Sequence, residues 1–177
     1  MTNSTKIKSI LAAIITAAVI VFGFAPSALA GNASANGSAG ITILESLSVS
    51  EVESVDFGHF HRPSSGQNML TLSHADGTVE MNGSGDGSFV EGTSQSGVYS
   101  VQGAPEHAIQ TSVSIVDFAD PGISIQEAHV DGPTDEASAF LDDTGSYTAQ
   151  IGGVIVIDAD ASVGSHTTEV HVTVEYE

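Results

Sequence analysis

The chain contains no cysteine and no tryptophan, and only 3 of its 177 residues are lysine or arginine. Without cysteine no disulfide can staple the fold, although an exported protein could form one, so stability must come from core burial and strand pairing. The same absence excludes a cysteine nucleophile and lipid attachment through a cysteine. With no Trp and only 3 Tyr there are few aromatic platforms for a sugar, which speaks against a glycosidase. Basic residues are scarcer still along the body of the chain. Lys6 and Lys8 lie at the N-terminus, leaving Arg62 alone against 22 acidic side chains, all of which follow Ala30. That portion carries a net charge of −21 with histidine neutral. Such a surface repels nucleic acid and anionic lipid headgroups. Its acid is spread along the chain as a solvated surface, and its poverty in lysine suits a salty habitat, where salt screens self-repulsion.

Sustained helical periodicity and internal repeats are also missing. The one long apolar run, Ile10 to Ala25, follows Lys6 and Lys8 and is closed by Pro26 and by Ala28-Leu29-Ala30. At sixteen residues it is short of the roughly 20 that span a bilayer. Its small-residue exit reads as an export signal over 1–30, cleaved after Ala30. Gly31 to Glu177 would remain, with no transmembrane segment, and would reside in the periplasm, at the cell surface or outside the cell. By length this is one domain. Residues 31–40 contain only Gly, Ala, Ser and Asn and read as a flexible leader. The folded domain is expected over 41–177.

From Ile41 onward the pattern is strand, turn, strand. Strands are expected over Ile41 to Ser50, Val52 to Phe57, Met69 to Leu72, Thr78 to Met81, Gly97 to Gln102, Ile109 to Val116 and Ile123 to Val130. Asp76-Gly77 marks a tight turn, as do Gly103-Ala104-Pro105 and Asp120-Pro121-Gly122. Asn82 to Gly87 reads as a long, mobile loop. Gly132 to Asp143 reads as another, with a short apolar piece at Ala139 to Leu141. Tyr147 to Ile157 is the most apolar run and suggests a strand buried on both faces. The last fourteen residues, from Gly164, alternate Val170, Val172, Val174 and Tyr176 on one face with Glu169, His171, Thr173 and Glu175 on the other. Eight or so short strands with Gly-rich turns predict an all-β antiparallel sandwich, immunoglobulin-like or a close variant, with a barrel as the alternative.

Three segments carry a family resemblance. They are Ile41-Thr42-Ile43 leading through Leu47 and Val49 to Asp56-Phe57-Gly58, then Tyr99 to Pro105 with the strand at Ile109, then Ile151 to Val156 with Gly164 and the terminal strand. In this order the chain resembles DUF4402, a secreted bacterial family of unknown function related to the spore coat U domain and to chaperone–usher pilins. The resemblance implies a secreted β-sandwich, a fibre or coat component, with a periplasmic chaperone, an usher or sibling subunits as partners. It implies that Gly164, Val170, Val172, Val174 and Tyr176 form an assembly or strand-pairing edge. Ile41, Ile43, Leu47 and Val49 would then be either a donor segment for a neighbour or the domain's own first strand. The chain departs from pilins in two ways: Gly31 to Gly40 has only alanines to insert, and no disulfide ties the first strands.

Motifs for chemistry are weak. His59-Phe60-His61 places two imidazoles on one strand face, but His74, His107, His129, His166 and His171 stand at no recognised ligand spacing. Asp56-Phe57-Gly58 matches three letters of the kinase magnesium motif without its companions. Asn82 to Gly87, Asp142-Asp143 and Asp158-Ala159-Asp160 are acidic loops that fit no helix–loop–helix calcium frame. The expectation is a secreted non-enzymatic structural or cell-surface protein with no cofactor and no metal. The alternative is a self-complete secreted module that binds a ligand or carbohydrate through its loops.

Overall fold

A computed structural model describes residues 34–132 and 134–177; the export signal, its cleavage site and residues 31–33 lie outside the described residues. The chain divides into two units, Met1–Ile41 and Thr42–Glu177. Of the first, residues 34–41 have no regular structure and are exposed.

The second unit holds eleven strands and, among the described residues, no helix. These are β1 (Ser48–Glu53), β2 (His59–His61), β3 (Gln67–Leu72), β4 (Val79–Gly83), β5 (Ser88–Val90), β6 (Gly97–Gln102), β7 (Ala108–Ile115), β8 (Ile123–Val130), β9 (Glu136–Phe140), β10 (Ser146–Asp158) and β11 (Val170–Tyr176). Every pairing is antiparallel. One sheet runs β1-β6-β10-β3-β4, with β8 also on β10. A second runs β11-β7-β9, and β2 pairs with β5 in a small ribbon.

The spine is β10. Its first half, Ser146 to Ile151, pairs with β6, and its second, Gly153 to Asp158, pairs with β3. Strand β8 takes the opposite edge of that second half. Backbones crowd where the halves meet, so Gly152 is required there: a Cβ would come within 2.4 Å of the Leu72 carbonyl oxygen. Ala149, Ile151, Ile155 and Ile157 point inward and are buried. Each isoleucine stabilises the fold by about 1.5–3 kcal/mol.

Three apolar clusters form the core. Tyr99, Ala149 and Ile151 of the large sheet meet Val113 of the second sheet, beside Ala128 and Val130 of β8. Val101, Ile109 and Leu141 form the next, closed by Leu47, Val174 and Tyr176. At the far end Leu70, Ile123, Ile155, Ile157 and Ala161 are covered by Phe57, Phe60, Phe89 and Phe118. There the β2–β5 ribbon and loop phenylalanines do the work of a second sheet. The result is an antiparallel β-sandwich, as the strand-turn-strand pattern predicts.

The boundaries differ in instructive ways. The strand expected from Ile41 begins only at Ser48, because residues 41–47 have no strand to pair with. The loop expected over Gly132 to Asp143 contains β9, whose Ala137 and Ala139 face the core between Glu136, Ser138 and Phe140. Alanine and serine have weak strand propensity, so the alternation is muted in sequence. The segment Asn82 to Gly87 is not a long mobile loop. Strand β4 runs to Gly83, and the buried Asn68 amide then donates to Gly85 O at 3.1 Å and accepts from Gly87 N at 3.1 Å. The terminal strand starts at Val170, and Gly164 lies in the preceding connection with φ +151°.

Candidate functional site

Among the described residues strand β11 is hydrogen-bonded on one side only, to β7. Val116 N donates to Glu169 O at 2.9 Å, and Glu177 N donates to Ala108 O at 3.1 Å. These two bonds bracket the ladder and set its parity. In an antiparallel pair every second residue directs both backbone groups at its neighbour. The odd residues of β11 therefore face β7. The N–H and C=O groups of Val170, Val172, Val174 and Tyr176 point the other way, along an open edge.

The same four residues turn their side chains into the core, opposite Ile115, Val113, Thr111 and Ile109. Ile109 and Val113 are buried, but the β11 side chains are only half-buried. Across the sandwich β1 is the matching edge of the large sheet. Its Val49 pairs with the fully buried Val101, so it faces the core, yet Val49 is 37% exposed. Glu51 pairs with Tyr99, whose hydroxyl is held above its usual pKa by burial and then by the Glu51 carboxylate. A shallow gap therefore runs between β1 and β11, floored by valines. Among the described residues no strand fills it.

One end of the gap is latched. Tyr176 Oη accepts from Ala104 N at 2.6 Å and donates to Glu45 O at 2.7 Å. Leu47 and the Tyr176 hydroxyl both crowd Gly103, where a Cβ would meet them at 2.7 and 2.5 Å. The residues singled out by sequence thus fall in different places. Val170, Val172, Val174 and Tyr176 line one side of the gap, Val49 the other, and Leu47 seals its end. Ile41 and Ile43 are 87% and 84% exposed. At Gly164 a Cβ would meet nothing within 4 Å. Glu51 and the Tyr176 latch carry no signal in the sequence, because both depend on which strands become neighbours.

The acidic motifs have a local role. Asp56, Asp76, Asp120 and Asp142 each accept a hydrogen bond from the backbone N–H two residues on, at 2.8, 3.2, 2.8 and 2.8 Å. This is the aspartate-locked turn. Hydrogen bonds from Ser73 and Thr78, from Ser162 and Gly122, and from Thr144 and Ser146 hold Asp76, Asp120 and Asp142 below the usual carboxylate range. Asp86 is lowered likewise by Ser64. Asp158 and Asp160 border an open hollow of 550 Å³ with Gly66, Gln67 and Ser84. In Asp56-Phe57-Gly58, Phe57 packs against the phenylalanine-covered cluster and Gly58 turns the chain at φ +81°.

The histidines stay apart. His59 and His61 are exposed on β2, opposite Val90 and Ser88. Among the described residues no three His, Cys, Asp or Glu side chains converge to hold a metal ion. His129 is buried on the outer face of the large sheet, 6.2 Å from the His74 ring, with Nε2 3.3 Å from Leu72 O and Nδ1 unpartnered. It ends a groove of 710 Å³ lined by Met69, Thr71, Val154, Val156, Gln126 and Glu127, among others.

Compared with known proteins, residues 47–176 match the family model described as "Domain of unknown function (DUF4402)". No curated protein and no solved structure matches the chain.

Proposed function

The chain belongs to the DUF4402 family, and on that premise we propose that it is an exported, non-enzymatic structural subunit of the cell surface, pilin-like or coat-like, that assembles by accepting a strand along β11. The observation that carries this reading is the open edge: four unpaired peptide groups aligned with four half-buried core side chains. An edge of this kind is a template for strand addition, with main-chain hydrogen bonds supplying affinity and alternate side-chain pockets supplying selectivity. The charge of −21 carried after Ala30 suits an exported surface protein and leaves nucleic acid an unsuitable partner. A periplasmic chaperone, an usher or a sibling subunit would supply a strand of the kind the edge requires.

A second reading rests on the groove beside His129. Its lining sets Met69, Val154 and Val156 beside Gln126 and Glu127, an apolar surface with polar groups for a ligand of a self-complete binding module.

Amide hydrogen exchange on the protein beginning at Gly31 separates the two. For an assembling subunit, the amides of Val170, Val172, Val174 and Tyr176 exchange fast in dilute solution and slow down as oligomers form. Val172→Pro, which removes an outward N–H and leaves the β7 ladder intact, weakens assembly. A concentration-independent monomer with a sharp melt refutes strand addition and leaves the binding module standing.

A further inference from the structure

Asparagine is rare after Ala30 and unevenly placed. It occurs only as Asn32, Asn36, Asn68 and Asn82. Three of these open the pattern Asn-x-Ser, in Asn32-Ala33-Ser34, Asn36-Gly37-Ser38 and Asn82-Gly83-Ser84. Serine and threonine fill 32 of the 147 positions after Ala30, so chance would put one asparagine of the four in the pattern rather than three. In an exported chain, Asn-x-Ser with x other than proline is the acceptor motif for N-linked saccharides, and it serves only where the carboxamide can be reached.

Accessibility sorts the four in the same way. Asn36 and Ser38 are exposed in a segment without regular structure. Asn82 and Ser84 are exposed at the end of β4. Asn32 lies outside the described residues. Asn68, the one without the motif, is 2% exposed, and its carboxamide is committed to Gly85 and Gly87. The asparagine that holds the fold together thus lacks the motif, whereas the two described asparagines that carry it face solvent.

Strand β4 gives a modification at Asn82 a physical consequence. Among the described residues this strand is paired on one side only, with β3. Ser73 N donates to Thr78 O and Ser84 N donates to Gln67 O, which turns the backbone groups of Glu80 and Asn82 towards β3. Those of Val79, Met81 and Gly83 therefore face an open edge. The Asn82 side chain stands across from Met69, on the outer face of the large sheet beside that edge. A hydrated saccharide there would hinder edge-to-edge pairing, as charge or proline does on other edges.

We propose that Asn36 and Asn82 are attachment sites for N-linked saccharides. The donor is a saccharide carried on a lipid diphosphate, and a transferase of the exporting membrane catalyses the step. The carboxamide nitrogen bonds to the anomeric carbon as the bond from that carbon to the diphosphate oxygen breaks. The lipid diphosphate leaves with the electron pair, and the nitrogen gives up one proton. Such transfer requires passage across the membrane, and so rests on the export reading of residues 1–30; it does not depend on β11.

The test takes the protein from the exported fraction of its own cells. A protease that cuts after glutamate releases Gly31 to Glu45 and Met81 to Glu91, which hold the two asparagines. Mass spectrometry should find a saccharide on each peptide. Asn82→Gln and Ser84→Ala, both at exposed positions, should each strip it from Met81 to Glu91, whereas Ser84→Thr should keep it. Asn36→Gln lies outside every strand and should empty that position with the fold unchanged. Bare masses for both peptides, in protein that begins at Gly31, overturn the proposal and leave the export reading standing. A saccharide that persists on both peptides in the asparagine variants is attached elsewhere and overturns it too. A chain that keeps Met1 to Ala30 removes the export reading and the proposal with it.

Discussion

Replacing Tyr176 with phenylalanine removes one oxygen atom and should loosen three segments at once. The ring would stay in place, packed with Val101, Ile109 and Leu141 and edge-on to His107 at 5.9 Å. What disappears is the hydroxyl that accepts from Ala104 N and donates to Glu45 O. The two losses are unequal. Glu45 is exposed, so its carbonyl recovers a hydrogen bond from water at little cost. Ala104 is only 6% exposed, and its N–H has no other acceptor, so it bears most of the penalty of a buried unsatisfied donor, about 1–3 kcal/mol. For a domain of this length that lowers the melting temperature by about 4–10 °C. Thermal melting checks the magnitude, and amide exchange checks its origin, because Ala104 should lose protection before the β7 and β10 amides. Broad-specificity proteolysis should also cut the segment before Leu47 sooner. A melt within about 1 °C of the unmodified protein, with Ala104 still protected, would refute the reasoning.

On β11, Val172→Asp or Val174→Asp puts an unpaired carboxylate towards the core and should destabilise by at least about 2 kcal/mol, whereas Thr173→Asp on the outward face should cost about 0.5 kcal/mol or less; equal tolerance in denaturant melts would mean the facing is wrong. Asp120→Asn tests the turn locks through pH. Because the folded pKa of Asp120 is depressed by Ser162 first and Gly122 next, its stabilisation is full above the unfolded value near 4 and is lost as pH falls through the lower folded value. The melting difference between Asp120→Asn and the unmodified protein should therefore be constant near neutrality and close below about pH 4; a gap that persists in acid would exclude the carboxylate as its source. Intact mass of the exported fraction should begin at Gly31, and a retained Met1 to Ala30 segment would overturn the export reading.

Much of the sandwich was legible because period-two alternation is local. Gly97 to Gln102 and Ile123 to Val130 appear as strands with the expected bounds, and Asp76-Gly77 makes the expected hairpin turn. In these segments β-branched and aromatic residues mark the buried face strongly. Strand β9 escaped because Ala137 and Ala139 mark it weakly, and β5 because three residues are too few to show a period. The alternation of Val170, Val172, Val174 and Tyr176 likewise marked the core face of the last strand, though it said nothing of the other neighbour.

What the sequence by itself determined is therefore the all-β class and, in the longer strands, the face each side chain takes: an acidic, cysteine-free chain of short antiparallel strands with turns at Asp76-Gly77 and Asp120-Pro121-Gly122. Only the tertiary structure decided which edges stay open. Whether Val172 meets a neighbouring strand depends on where β1, β6 and β10 end up, and none of these is close to it in sequence. The same holds for Ile41 and Ile43, whose pattern reads as a first strand until the structure starts that strand at Ser48 and leaves them exposed. Side-chain alternation follows from the geometry of one residue and the next, whereas an unpaired edge is a property of the whole sheet.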